Sequence, residues 1–277
     1  MPLVKTEGLI IRTMNLGETS KLVTFFTREL GILKVIAKGA RSSKSRLGAA
    51  LEPLTVSRIV YYEKENRELQ FLSQADIVEF FPNLRADLEK WGYANACAEL
   101  VYRAQTSAEA TAKLYPILLN TLRAMNETAA DARVCFWGFQ MKLLGVLGVA
   151  PNLRRCLHCN TAPIFLQSKI NDVGTVDTSG SVYHFDIARG GFLCNRCPPV
   201  IGAPTLSGET LLRLADFQTL PAEKFSYLAI SPTVRREIEN FFRAYFAFHL
   251  EEIGGLSALK FVHKIVGQMP IVASSGK

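Results

Sequence analysis

The sequence predicts a multidomain α+β protein in which a five-stranded barrel precedes an all-helical domain with an inserted four-cysteine module. Three observations predict this architecture. Residues 1–81 contain five short segments rich in β-branched and aromatic residues, with turn residues between them. Beyond Pro82 the apolar residues recur at helical spacing. Residues 150–204 contain two CxxC pairs among many turn residues, and helical spacing resumes over residues 205–277.

The first domain, residues 1–81, is predicted to be an OB-fold. Its strand-like segments, in chain order, are GLIIRTMNL, KLVTFFT, GILKVIAKG, TVSRIVYY and LQFLSQADIV. Five short strands in a partly open barrel are typical of the OB-fold, which commonly binds single nucleic-acid strands or oligosaccharides.

A basic loop, AKGARSSKSRLG, joins the third and fourth predicted strands. The whole chain has a formal net charge of +7, and residues 34–48 hold five basic residues and no acidic one. These five are Lys34, Lys38, Arg41, Lys44 and Arg46. A basic run is often only a solvated face. Its place at a barrel rim, among serines and glycines that also reach phosphates, favours DNA binding.

Five aromatic rings could serve such a surface as stacking platforms for bases. They are Phe25, Phe26, Tyr61, Tyr62 and Phe71. Because strand side chains alternate between faces, one ring of each adjacent pair should point into the barrel and one outward. At least half of the five rings should belong to the barrel core, and the sequence leaves open which ones.

The helical domain is predicted in two parts, residues 82–149 and residues 205–277. In the first part, a helix is expected to begin with Thr106 and Glu109 in the relation of a capping box. In the second, Ser231-Pro232 suits the start of a helix, and a last helix covers residues 257–266. The aromatic stripe between residues 241 and 248 is expected to pack the bundle. A groove for a partner's apolar peptide is the lesser alternative.

The cysteine module, residues 150–204, contains Cys156, Cys159, Cys194 and Cys197. Each CxxC pair places two thiolates on one tight turn, and two such turns make a tetrahedral four-sulfur site that suits structural Zn²⁺. The 34 intervening residues exceed the usual spacing, and a hairpin could take them up. A redox dithiol or ordinary thiols are the alternatives. His158 lies nearby and is expected to be a neighbour of the site rather than a ligand.

No nucleophile and base stand at a spacing that would indicate catalysis, so the chain is predicted not to be an enzyme. A nuclease would need acidic metal ligands, and the cysteine module offers only Asp172, Asp177 and Asp186, in turn-like or strand-end settings. The N-terminus lacks the pattern of a signal peptide, and no apolar run is long enough to span a membrane. The expected location is therefore the cytoplasm.

Several blocks of the chain resemble the bacterial RecO family of DNA repair and recombination proteins. The blocks are EGLIIRTMNLGETSKLVTFFTRELGILKVIAKGARSSKSRLGAALEP, ANACAELVYRA, FWGFQMKLLGVLGVAPNLRRCLHCN, FDIARGGFLCNRC and YFAFHLEEIGGLSALKFVHKI. They span nearly the whole chain in the expected order. The pieces GETSKL and AKGARSSKSRLG are the most specific, followed by CLHCN and GGFLCNRC.

The resemblance implies an N-terminal OB-fold, a helical domain and a cysteine zinc module. It implies a mediator that binds single- and double-stranded DNA and anneals complementary strands coated with single-strand binding protein. It also implies work with RecR to load RecA, and a location at the nucleoid. Lys38, Arg41, Lys44 and Arg46 fall inside the matching block, whereas Lys34 is added on charge alone. A zinc-stabilised protein adaptor that never contacts DNA is the competing hypothesis.

Overall fold

The computed structural model describes residues 2–42, 45, 47–65, 67–127, 129–163, 181–253 and 256–266. It divides the chain into two compact units. The first, here called the barrel unit, consists of Met1–Phe136 and Gly255–Lys277. The second, the cysteine unit, is Trp137–Gly254. Among the described residues, no helix is long and apolar enough to cross a membrane.

The barrel unit opens with five strands that close into a barrel in the order β1-β2-β3-β5-β4. The strands are β1 (Leu3–Leu16), β2 (Ser20–Thr27), β3 (Gly31–Ala37), β4 (Val56–Tyr62) and β5 (Leu69–Glu79). Strands β3 and β5 pair in parallel, and the other neighbours pair in antiparallel fashion. The predicted five-stranded barrel is confirmed.

Alternation along each strand builds the barrel core, since every second side chain points inward. The buried core residues of the barrel are Ile10, Val23, Phe25, Val35, Ala37, Ala40, Leu51, Ile59, Tyr61 and Leu72. The register shifts once between β1 and β2, at Ile10 and Arg12, and twice between β4 and β5, at Val56 and Ser57 and at Val60 and Tyr61. Such bulges increase the bend of a strand, which helps a short sheet to close on itself.

Helices complete the barrel unit: α1 (Pro82–Ala86), α2 (Leu88–Ala104), α3 (Ala108–Asn126) and the start of α4 (Ala132–Val146). The expected cap of α3 at Thr106 is wrong, because the side chain of Ser107 accepts the hydrogen bond from the Ala110 amide. Thr106 instead shares a hydrogen bond with the hydroxyl of Thr111, 2.8 Å away. Two adjacent hydroxyl residues can both cap a helix, so the sequence alone could not choose between them.

A last helix, here called α7 (Ser257–Val266), packs against α2 within the barrel unit. The carboxylate of Glu99 on α2 accepts hydrogen bonds from the amides of Ser257 (3.1 Å) and Ala258 (3.0 Å). Free amides at a helix N-terminus favour negative charge, so this contact fixes the start of α7.

The cysteine unit contains a three-stranded sheet in the order β7-β6-β8. Its elements are β6 (Val182–Asp186), β7 (Gly191–Leu193), β8 (Thr205–Ser207), α5 (Gly208–Thr219) and α6 (Pro232–His249). The predicted start of α6 is confirmed, because the Ser231 side chain accepts from the Val234 amide and Pro232 follows it.

The aromatic stripe of α6 packs this unit, as predicted. The ring of Phe241 lies 5.0 Å from that of Phe185 on β6 and 5.3 Å from that of Tyr245. These three rings are buried, whereas Phe248 at the end of the stripe is 58% exposed.

Candidate metal centre and nucleic-acid surface

The first CxxC turn is held in place by backbone hydrogen bonds to the β6–β7 hairpin. The Asn152 amide donates to the Gly190 carbonyl (2.7 Å), and the Leu157 amide donates to the Phe192 carbonyl (2.9 Å). Within the turn, the Asn160 amide donates to the Cys156 carbonyl (3.0 Å). The sulfurs of Cys156 and Cys159 therefore stand on one short, anchored loop.

The second CxxC turn follows directly after β7. The Cys197 amide donates to the Cys194 carbonyl (3.0 Å), which closes the turn. The Cys194 amide also points at the Sγ of Cys156, at 3.3 Å. Because the hairpin carries one turn and anchors the other, folding of the module brings all four cysteines together.

The four sulfurs form one cluster. The Sγ–Sγ distances are 3.8 Å for Cys156 and Cys197, 3.5 Å for Cys159 and Cys194, and 3.7 Å for Cys194 and Cys197. All four lie within 4.8 Å of one another. A disulfide would need about 2.05 Å. Four sulfurs arranged tetrahedrally at about 2.3 Å from a central ion would be separated by about 3.8 Å. The four cysteines can therefore hold a metal ion.

Hydrogen bonds prepare part of this cluster to be thiolate, the form that binds metals. The side chain and then the amide of Thr161 lower the pKa of the Cys159 thiol to about 6, helped by the Cys194 thiol. Burial raises the pKa of Cys197 to about 12, and hydrogen bonds to the other thiols add to the rise. A coordinated cation would supply the charge that keeps all four deprotonated. The Nδ1 of His158 lies 3.5 Å from the Cys197 sulfur, outside the four-sulfur set.

Acidic metal ligands are not gathered beside this cluster in the described residues. Asp186 is buried, and its carboxylate accepts a hydrogen bond from the Arg189 amide at 3.0 Å. Asp172 and Asp177 lie outside the residues that the structure describes.

The basic loop begins where β3 ends. Gly39 has a φ of +67°, which turns the chain after Lys38, and Ala40 packs into the barrel core. Lys34, Lys38 and Arg41 are described, whereas Lys44 and Arg46 lie outside the described residues.

The three described cations have different surroundings. The ammonium of Lys34 lies 3.6 Å from the carboxylate of Glu68. The ammonium of Lys38 lies over the ring of Phe71, 4.8 Å from its centroid. Among the three described cations, Lys38 is the one whose ammonium faces an aromatic ring.

Arg41 has a positioning role that its sequence context did not indicate. Its Nη1 donates to the carbonyls of Gly17 (3.1 Å) and Glu18 (3.0 Å), and its amide donates to the Thr19 carbonyl (2.9 Å). These bonds tie the basic loop to the β1–β2 turn. The charge remains, because a guanidinium that donates through one nitrogen keeps its full positive charge and its other donors.

The aromatic rings follow the predicted alternation. Phe25 and Tyr61 point into the barrel core. Phe26 points outward but is buried against Tyr115 of α3, with ring centroids 5.8 Å apart. Tyr62 is 40% exposed and Phe71 is partly exposed. Of the five rings, these last two keep a face on the outside of the barrel. Only Phe25 and Tyr61 belong to the barrel core, so the prediction that at least half of the rings do is wrong, because Phe26 packs against a helix instead.

Comparison with known proteins agrees with this architecture. The family profile described as Recombination protein O N terminal matches residues 1–81, and that described as Recombination protein O C terminal matches residues 85–255. A DNA repair protein RecO of Pelotomaculum thermopropionicum is 31% identical over 280 residues, which cover 100% of this chain and 98% of the relative. The protein of the same description from Exiguobacterium is 32% identical, covering 92% of each chain. That from Bacillus subtilis is 33% identical, covering 70% of this chain and 69% of the relative.

Proposed function

Because both family profiles match it, as does the Pelotomaculum relative over nearly its full length, this chain belongs to the RecO family of DNA repair proteins. We propose that it acts there as a recombination mediator. In this proposal it binds single- and double-stranded DNA and anneals complementary strands that single-strand binding protein coats. It then works with RecR to load RecA. The place of this work would be the nucleoid, in the cytoplasm.

The observation that supports the proposal best is the basic loop at the barrel rim. Lys38 lies there over the partly exposed ring of Phe71, Arg41 follows it in the same loop, and Lys44 and Arg46 come next in the sequence. Fixed cations bind the phosphate backbone without reading bases, and base faces stack on aromatic rings.

The positive charge of such a loop would promote annealing for an electrostatic reason. Two complementary strands carry like charge and repel each other as they approach. A protein that neutralises phosphates on both strands lowers this barrier for any sequence. Binding of this kind weakens steeply with salt, because it releases counterions from the DNA.

We propose that the four-cysteine cluster holds a structural Zn²⁺. The proposal is supported by the chemistry of the donors, four thiols at sulfur spacings of 3.5–3.8 Å among the pairs that touch. With Cys156, Cys159, Cys194 and Cys197 all as ligands, no position is left for a substrate, so the ion would brace the fold rather than catalyse. Elemental analysis of the purified protein should find about one zinc per chain.

The competing hypothesis is an adaptor that contacts proteins only. Binding of labelled single- and double-stranded oligonucleotides, followed by fluorescence anisotropy at 50 and 200 mM salt, separates the two. The mediator binds both DNA forms and loses affinity as salt rises. An absence of binding at low salt would favour the adaptor and refute the DNA-binding function proposed here.

A further inference from the structure

An apolar row runs round the outside of the barrel. Cross-strand pairing places its six members opposite one another, strand by strand. In order round the barrel they are Met14, Leu22, Ile36, Phe71, Tyr62 and Leu3. Their immediate neighbours in sequence, among them Val35, Tyr61 and Leu72, point into the barrel core. The row therefore belongs to the outer face.

Three of the six side chains in the row are exposed, and the other three are partly exposed. Leu3 is 58% exposed, Met14 47% and Tyr62 40%. Leu22, Ile36 and Phe71 are partly buried by their neighbours. A continuous exposed apolar surface of this kind marks a binding site more often than isolated apolar residues do.

The centre of the row is an aromatic pair. Tyr62 on β4 and Phe71 on β5 stand directly opposite each other in an antiparallel ladder, and Ile36 lies on the other side of Phe71. Neighbouring strands are about 4.8 Å apart, so the two side chains leave the backbone side by side on the outer face. Extended nucleotides can place two successive bases on such a pair.

Cations line one edge of the row. Lys38 follows Ile36 by two residues, and Lys5 follows Leu3 by two, so both project from the outer face just beyond the row. Both lie on the side of the row where the basic loop begins, because β1 and β3 each run antiparallel to β2 and therefore run in the same direction. On the other edge, the ammonium of Lys34 lies 3.6 Å from the carboxylate of Glu68.

We propose that Tyr62 and Phe71 form a stacking platform for two successive unpaired bases of single-stranded DNA, and that Lys38 leaves the Phe71 ring for a phosphate when a base arrives. The inference rests on the DNA-binding function proposed above. An apolar peptide would gain nothing from Lys38 and Lys5 at the edge of the row, whereas a single strand needs both rings and cations. A duplex keeps its bases paired and stacked inside, so the platform selects single strands.

The platform also explains how a bound strand stays ready to pair. A base that stacks its face on a ring leaves its hydrogen-bonding edge directed sideways, away from the ring. The phosphates meanwhile lie along the cationic edge. The strand is held extended, with its pairing edges open to a complementary strand.

The test compares two single-stranded oligonucleotides of equal length, one normal and one abasic, which share phosphates but differ in bases. The variants are Phe71→Ala and Tyr62→Ala, and Tyr227→Ala removes an exposed ring in the cysteine unit as a matched control. Stacking contributes roughly 1–3 kcal/mol per base, so each platform variant should bind the normal oligonucleotide about 5- to 150-fold more weakly. Affinity for the abasic oligonucleotide should stay at the wild-type level, and the control should match wild type on both.

A second pair of variants distinguishes loss of stacking from misfolding. Phe71→Leu keeps an apolar side chain against Ile36 but loses the aromatic face, so it should behave like Phe71→Ala. Phe71→Trp should restore or tighten binding of the normal oligonucleotide. The platform is refuted if the alanine and leucine variants bind the normal oligonucleotide as wild type does, or if they lose equal affinity for both oligonucleotides. If wild type binds neither oligonucleotide, the proposed DNA-binding function itself fails.

Discussion

Neutralising the loop cations should reduce the salt dependence of single-strand binding by an amount that the structure lets us work out. Each phosphate contact adds about 0.7 to the slope of log affinity against log salt for single strands. A change from 50 to 200 mM salt is fourfold, so each contact accounts for a loss of about 2.6-fold across that range. Lys38→Ala should remove one such contact. The Lys38→Ala, Arg41→Ala double variant should remove two, or about 7-fold.

Their different contacts in the structure should make the cations contribute unequally to the salt dependence of binding. The ammonium of Lys34 lies 3.6 Å from the carboxylate of Glu68, which competes with phosphate for it, so Lys34→Ala should change the slope by less than Lys38→Ala does. Arg41 also ties the loop to the β1–β2 turn through two carbonyls. Arg41→Lys keeps the charge without that paired contact, and it should keep the slope while lowering affinity at every salt concentration.

Fluorescence anisotropy of a labelled single strand over a salt series measures these slopes directly. Lys113→Ala serves as the control, because it removes one exposed cation that is paired with Glu109 on α3. The reasoning would be refuted by an unchanged slope in the Lys38→Ala, Arg41→Ala variant. It would also fail if Lys113→Ala lowered the slope as much as Lys38→Ala does.

Three further predictions concern the fold that supports this surface. Cys159 is exposed, so Cys159→Ser removes a proposed zinc ligand without opening a core cavity. The variant should contain less zinc and lose more than about 2 kcal/mol of stability. Full zinc content with an unchanged melting temperature would contradict the bracing role. Although burial opposes it, the amides at the start of α7 and a nearby arginine lower the pKa of Glu99. This carboxylate therefore stabilises the fold fully above its unfolded pKa of about 4.3, and the stabilisation is lost as pH falls below that value. The rate of α7 opening, measured by hydrogen exchange, should therefore rise on acidification in wild type. In Glu99→Gln the opening rate should hardly change with pH. A Cβ on Gly138 would lie 2.3 Å from two ring carbons of buried Phe225, so Gly138→Ala should cost about 1–3 kcal/mol in thermal unfolding, and an unchanged melting temperature would refute this packing.

Local patterns in the sequence predict much of this architecture. Alternation along the first five strands predicts the barrel and the inward direction of Phe25 and Tyr61. The two CxxC turns predict the sulfur cluster, because each turn by itself places two thiols side by side.

What the sequence could not give depends on contacts between distant residues. Alternation points Phe26 outward, but only packing shows that Tyr115 of α3 covers it. The bonds of Arg41 reach carbonyls 23 and 24 residues earlier in the chain. The apolar row emerges only from the strand register, which shifts at three points, so no single segment contains it.

We propose above that this chain anneals DNA through the loop at its barrel rim. The most direct test is the annealing rate of complementary strands coated with single-strand binding protein. We would compare wild type with a folded variant in which Lys38, Arg41, Lys44 and Arg46 are all alanine. We expect that wild type anneals the strands and that the variant does so far more slowly. Equal annealing by both would place the DNA surface elsewhere, and no annealing by wild type would contradict the mediator function.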